Sequence, residues 1–125
     1  MQPVSPQTFA VLERQDQLDA LVDLSFRQPV LIIKHSPACG TSFQALDELE
    51  ENRDRLAGLD VHLIDVLQQR ALSQAIATRF RVRHESPQVL LLVHGRVCWS
   101  ASHFRVTAEA AQRALAAATI GDGTA

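Results

Sequence analysis

Val30-Leu31-Ile32-Ile33-Lys34-His35-Ser36-Pro37-Ala38-Cys39-Gly40-Thr41-Ser42 begins as a continuous apolar run and ends in small polar residues around a cysteine. Val30–Ile33 is too short for a helix and rich in β-branched side chains, the pattern of a strand covered on both faces at the centre of a sheet. Beyond Gly40 the pattern changes. Phe43, Leu46, Leu49 and Leu56 recur near helical spacing with Asp47, Glu48, Glu50 and Glu51 between them, and Gly58 closes the segment. Cys39 is therefore expected where a central strand ends and a helix begins.

Upstream, Phe9–Leu12 reads as a short strand, and Leu18, Leu21, Val22 and Ser25 mark one face of a helix that starts at Asp16 and ends before Pro29. Downstream, Val61–Val66 is a strand and Arg70–Phe80 a helix with a stripe of Ala71, Leu72, Ala75, Ile76 and Phe80. Pro87 opens a buried strand over Gln88–Val93, and His94-Gly95 turns it into a partner strand, Arg96–Ser100. Thr107 caps a final alanine-rich helix that runs to about Ala118. Alternating strands and helices followed by a hairpin and a last helix predict an α/β protein of thioredoxin-like fold, a central mixed sheet with helices on both faces.

A chain of 125 residues is expected to form a single thioredoxin-like domain over 1–125, with flexible ends at 1–7 and 121–125. A net charge of −2 with scattered basic residues argues against nucleic acid as a partner, and no apolar run approaches a membrane span. The first residues lack the basic lead and apolar core of a signal peptide, so a cytoplasmic location is expected. Two cysteines, far apart in sequence, make neither a disulfide framework nor a zinc site, and the histidines show no metal-ligand spacing.

At a strand-to-helix junction unpaired backbone N–H groups and the helix dipole favour a thiolate, which makes Cys39 a candidate nucleophile rather than only a small core residue. Strand alternation sends Lys34 and His35 to opposite faces, so at most one approaches the sulfur. Dithiol oxidoreductases carry Cys-x-x-Cys because the second sulfur resolves the mixed disulfide formed at the first. Here Cys39-Gly40-Thr41-Ser42 puts a hydroxyl in that place, one that can hydrogen-bond a thiolate but forms no disulfide. Cys98 is expected opposite Leu91, on the order of 13 Å along the strand from Pro87, out of disulfide reach, and is read as a packed strand residue. Pro87 is either a plain strand start or the cis-proline that faces the cysteine in a thioredoxin fold.

Ser36-Pro37-Ala38-Cys39-Gly40-Thr41-Ser42 after a buried strand, His84-Glu85-Ser86-Pro87-Gln88 before the hairpin, and Trp99 followed by Ser102-His103 resemble the monothiol bacilliredoxin family, the YtxJ-like branch of thioredoxin-fold proteins. The likeness covers about Phe9 to Leu115. Family members often have Thr-Cys-Pro-Ile-Ser at this site; here Gly40-Thr41 replaces Pro-Ile. The resemblance implies a monothiol thiol–disulfide oxidoreductase that removes bacillithiol from S-bacillithiolated proteins. Cys39 would be the nucleophile and Ser42 its hydrogen-bonding neighbour, with Gly40, Thr41, Ser86, Pro87 and His103 around the bound thiol. His84 and Glu85 lie beside that group, and Trp99 reads as core. No tightly bound cofactor or metal is expected, bacillithiol serving as co-substrate. Two other readings remain open at this point: an iron–sulfur cluster carrier of the monothiol glutaredoxin type, and a redox-inactive thioredoxin-like interaction domain.

Overall fold

The computed structural model describes residues 9–123, with side chains as far as Ala118. Its strands are β1 (Ala10–Val11), β2 (Val30–His35), β3 (Asp60–Asp65), β4 (Gln88–Val93) and β5 (Arg96–Ser102); its helices are α1 (Gln15–Leu24), α2 (Gly40–Glu51), α3 (Arg70–Phe80) and α4 (Ala108–Gly123). They form one mixed sheet in the order β1-β3-β2-β4-β5, with β2 parallel to β3 and antiparallel to β4. This is the expected thioredoxin-like α/β arrangement. Every residue of β2 is buried, as an apolar run flanked by strands on both sides requires.

Alternation along β2 divides the core. Leu31 and Ile33 pack with Ala45 and Leu49 of α2 and Ala108 and Ala111 of α4, whereas Val30 and Ile32 pack with Leu18 and Leu21 of α1 and Leu72 and Ile76 of α3. Lys34 continues the second face and His35 the first. Consequently the end of β2 delivers a buried lysine to α3 and a buried histidine to α2.

The hairpin turn forms at His94-Gly95, both with positive φ (53° and 77°), the backbone of a type I′ turn. Ser25 pins it. Its carbonyl accepts from the His94 N–H at 2.9 Å and its Oγ from the Gly95 N–H at 2.8 Å, which is why the α1 stripe ends in a buried serine.

Several expectations need correction. Cys98 does not pair with Leu91 and is not packed. Leu91 pairs with Trp99 and Leu92 with Val97, so Cys98 is the extra residue of a β-bulge, and it is exposed. The bulge flips the phase of β5. Val97 packs with the α1/α3 core and Trp99 with the α2/α4 core. The helix expected from Gly40 to Leu56 breaks at Asn52, whose Nδ2 donates to the Glu48 carbonyl (2.9 Å) and carboxylate (3.1 Å); a 3-10 turn over Arg53–Leu56 then returns Leu56 to the core. Phe43 is 46% exposed because the buried stripe of α2 is Ser42, Ala45 and Leu49, one residue out of phase with it. β5 continues to Ser102 and is followed by a 3-10 turn at His103–Arg105. The α4 backbone stays helical past Ala118 to Gly123; residues 1–7 and 124–125 of the expected flexible ends lie outside the described residues.

Candidate active site

Ser36-Pro37-Ala38-Cys39 is a tight turn closed by the Cys39 N–H donating to the Ser36 carbonyl at 3.1 Å. Pro37 occupies its second position, where a fixed φ near −65° suits the turn. Cys39 leaves the turn with extended backbone (φ −126°, ψ 120°) and is the residue that caps α2. Its side chain stands where a capping oxygen would normally accept from the first-turn N–H groups. The sulfur stands near those N–H groups without a capping hydrogen bond, so they act on it electrostatically. The Ser42 N–H contributes most to lowering the Cys39 thiol below its ordinary pKa, followed by the Thr41 N–H and the two hydroxyls, with partial burial acting in the opposite sense. The first turn of α2 holds no carboxylate to cancel this effect.

Ser42 is 1% exposed, and its Oγ has no hydrogen-bond partner among the described residues; its hydroxyl makes a smaller contribution to lowering the Cys39 thiol. His35 lies on the same side of the sheet. Its ring meets Phe43 edge-on at 4.7 Å, and burial pushes the imidazole below its usual pKa, so it is neutral at pH 7. Phe43 covers the histidine rather than filling the core.

The second wall comes from the strand beside β2. Lys34 pairs with Gln88, so the buried Pro87 stands across from His35 at the end of the sheet that carries Cys39. The Ser86–Pro87 bond is cis. The Pro87 carbonyl accepts from the His103 N–H at 2.9 Å, and His103 holds a left-handed backbone (φ 57°) at the exit of β5. Glu85 faces outward beside Ser102, whose hydroxyl holds its carboxyl below the usual range, with the His103 Nε2 3.7 Å from Glu85 Oε1. A shallow cavity of about 160 Å³ lies next to this wall, lined by Thr41, Gln44, Glu48, His103, Phe104 and Thr107. Phe104 is 83% exposed at its rim.

Cys39, Gly40, Thr41 and Ser42 thus share the N-terminus of α2, while Ser86, Pro87 and His103 share the adjacent loop pair. His84 and Glu85, similar in sequence position, point opposite ways. Glu85 faces His103, and His84 turns inward to Lys34, with Nδ1 3.0 Å from Nζ. Neither the Lys34–His84 pair nor the contact of Ser102 with Glu85 is visible in the sequence, although Ser102 itself belongs to the Ser-His motif. Their separations are long, and only the pairing of β4 with β2 and β5 brings them together. Cys98 on the bulge of β5 sits away from this end, beside Leu91–Leu92. No helix among the described residues is long and apolar enough to cross a membrane.

Solved structures agree with the fold. The chain is similar to a thioredoxin-fold protein assigned as an oxidoreductase, at 29% identity and a TM-score of 0.73, over 85% of this chain and 92% of that one. It resembles a thioredoxin variant from Halobacterium salinarum at 24% identity (TM-score 0.64, 88% of this chain and 89% of that one). A thioredoxin from Malassezia sympodialis is 17% identical (TM-score 0.65, 92% and 90%). These two speak for the fold alone. The sequence profile of the monothiol bacilliredoxin BrxC family matches residues 10–111. With the cysteine at the mouth of α2 and the proline loop at the same end of the sheet, this chain belongs to the monothiol bacilliredoxin BrxC family, and its role is in thiol redox chemistry.

Proposed function

We propose that the protein is a monothiol thiol–disulfide oxidoreductase that removes bacillithiol from S-bacillithiolated proteins. The observation that carries this reading is a half-buried Cys39 at the N-terminus of α2, where the nearby N–H groups of Ser42 and Thr41 lower its thiol pKa, with a hydroxyl where a second sulfur would resolve it. The Cys39 thiolate attacks the bacillithiol sulfur of the mixed disulfide. A new disulfide forms between Cys39 and bacillithiol, and the client protein leaves as a thiolate that takes a proton from solvent. Ser42 cannot continue the reaction. A second thiol, bacillithiol itself or a partner protein's, attacks the Cys39 adduct, releasing a disulfide and restoring the thiolate.

Ser86, Pro87, Gly40, Thr41 and His103 form the walls against which the mixed disulfide lies, and the free backbone edge before Pro87 is available to an extended segment of the client. The electron source is the external thiol, so this chemistry calls for no resident cofactor. A client carrying a bacillithiol adduct, incubated with wild type and with Cys39→Ala, tests the reading. Release of the adduct by wild type alone is expected. Equal release by both, or by neither, contradicts it, the latter pointing to a redox-inactive interaction domain.

A further inference from the structure

Lys34 is the chain's only lysine, and its side chain is fully buried near the end of the central strand. Packing alone would be served by methionine or leucine. A buried ammonium without a carboxylate partner is costly, and among the described residues Lys34 has none. Its Nζ instead donates to the Ser73 carbonyl on α3 at 3.1 Å and lies 3.0 Å from Nδ1 of His84. An ammonium has donors only, so Nδ1 accepts and the imidazole proton sits on Nε2. The Ser73 Oγ, 3.2 Å from the same nitrogen, closes the cluster.

His84 belongs to the loop that ends in Pro87, and the base of that loop is tied by Gln88 Nε2 donating to the Arg83 carbonyl at 2.9 Å. His84 points into the protein and its neighbour Glu85 points out toward Ser102 and His103. Whatever fixes the ring of His84 therefore fixes the wall opposite Cys39. We propose that Lys34 is a positioning residue for substrate binding: through His84 it holds the loop 83–87 in place, so that a mixed disulfide meets a preformed wall beside Cys39. This rests on the proposed reading of the site. It adds to that reading a residue that touches neither sulfur nor substrate.

While Lys34 is charged, as at pH 7, the cluster tolerates one arrangement of protons. If His84 is protonated, Nδ1 becomes a donor facing an ammonium, and the clamp opens. Burial and the charge of Lys34 lower the His84 pKa and Glu85 raises it; Ser73 and Gln88 are the neutral polar neighbours of the cluster. Acid should therefore raise the KM of wild type without changing the intrinsic reactivity of Cys39 above its own pKa.

Steady-state kinetics on a bacillithiolated client separate the possibilities. Lys34→Met and His84→Leu are expected to raise KM by about tenfold or more with kcat little changed, the scale of a displaced binding element. Alkylation of Cys39 by iodoacetamide, which needs no wall, should match wild type. His84→Asn, which places an acceptor where Nδ1 stood, should restore KM and abolish its rise in acid. An unchanged KM in Lys34→Met, or a shifted pH profile of Cys39 alkylation, overturns the proposal. Nitrogen NMR of the His84 ring supplies a readout independent of turnover: Nδ1 should be unprotonated in wild type and lose that preference in Lys34→Met, with faster amide exchange at 85 and 86. No spectral change overturns the clamp itself. A spectral change in a protein that leaves bacillithiolated clients untouched refutes the substrate reading, and with it the role in binding, while the clamp stands.

Discussion

Replacing Lys34 by methionine keeps the length and unbranched shape of the side chain and removes a charge that the folded protein holds out of water. Burial pulls the Lys34 ammonium from the usual 10.5 down to about 8. At about 1.4 kcal/mol for each tenfold change in proton affinity, this depression corresponds to roughly 3 kcal/mol against the charged folded state. The side chain is fully buried, so little solvent screening reduces that figure. The sign follows from proton counts. Below pH 8 both folded and unfolded chains carry the proton, and the folded state bears the full cost. Between about 8 and 10.5 the unfolded chain keeps a proton that the folded one has lost, so stability rises with pH; above 10.5 the cost is gone. Lys34→Met should therefore be more stable than wild type at pH 7 by about 1–3 kcal/mol, the lower end reflecting the two hydrogen bonds given up. Urea unfolding of both proteins at pH 7 and pH 10.5 reads the gap, and thiol titrations common to both cancel. A gap that does not narrow toward pH 10.5, or a variant less stable at pH 7, refutes the assignment of a charged, uncompensated lysine. If the gap appears together with the raised KM, the lysine trades stability for function.

Three further outcomes are expected. Ser42→Ala, alkylated in a Cys98→Ser background, should raise the Cys39 thiolate pKa only part of the way to its ordinary value, because the Ser42 backbone N–H, the largest contributor, remains; a complete return would show that the hydroxyl dominates. Gly40→Pro should leave the pH profile of alkylation unchanged and stabilise by about 0.4–1 kcal/mol in urea unfolding. Gly40 is the first residue of α2, a Cβ there meets nothing within 4 Å, and Cys39 already has the extended backbone that a following proline requires. Gly95→Ala should cost about 1–2 kcal/mol, since φ is +77° and the new Cβ would lie 2.8 Å from the Phe26 ring. Adding Phe26→Ala should not restore stability, as the backbone strain persists.

What could be read from the sequence was what local pattern determines. The apolar run Val30–Ile33 announced the central strand, the change of period after Gly40 announced α2, and the junction between them located Cys39. His94-Gly95 likewise carried its own turn geometry. Features that depend on how distant segments meet were not legible. The bulge between Leu91 and Leu92 follows from β5 serving two cores at once, and nothing in Arg96–Ser100 says where the phase should flip. Phe43 looked like core because the stripe that is buried, Ser42-Ala45-Leu49, begins with small residues. Lys34 and His84 are 50 residues apart and meet only because β4 lies against β2 with α3 packed above. The two faces of the loop before Pro87 could not be separated either, since His84 and Glu85 differ only in which way the backbone turns them.

The proposed mechanism makes Cys39 the sulfur that accepts bacillithiol. Its most direct test is peptide mapping by mass spectrometry of the wild-type protein, quenched with acid shortly after mixing with a bacillithiolated client at pH 7. One bacillithiol adduct is expected, on the peptide containing Cys39, with loss of that adduct when free bacillithiol is added. An adduct confined to the exposed Cys98, with Cys39 unmodified while the client is released, would contradict it.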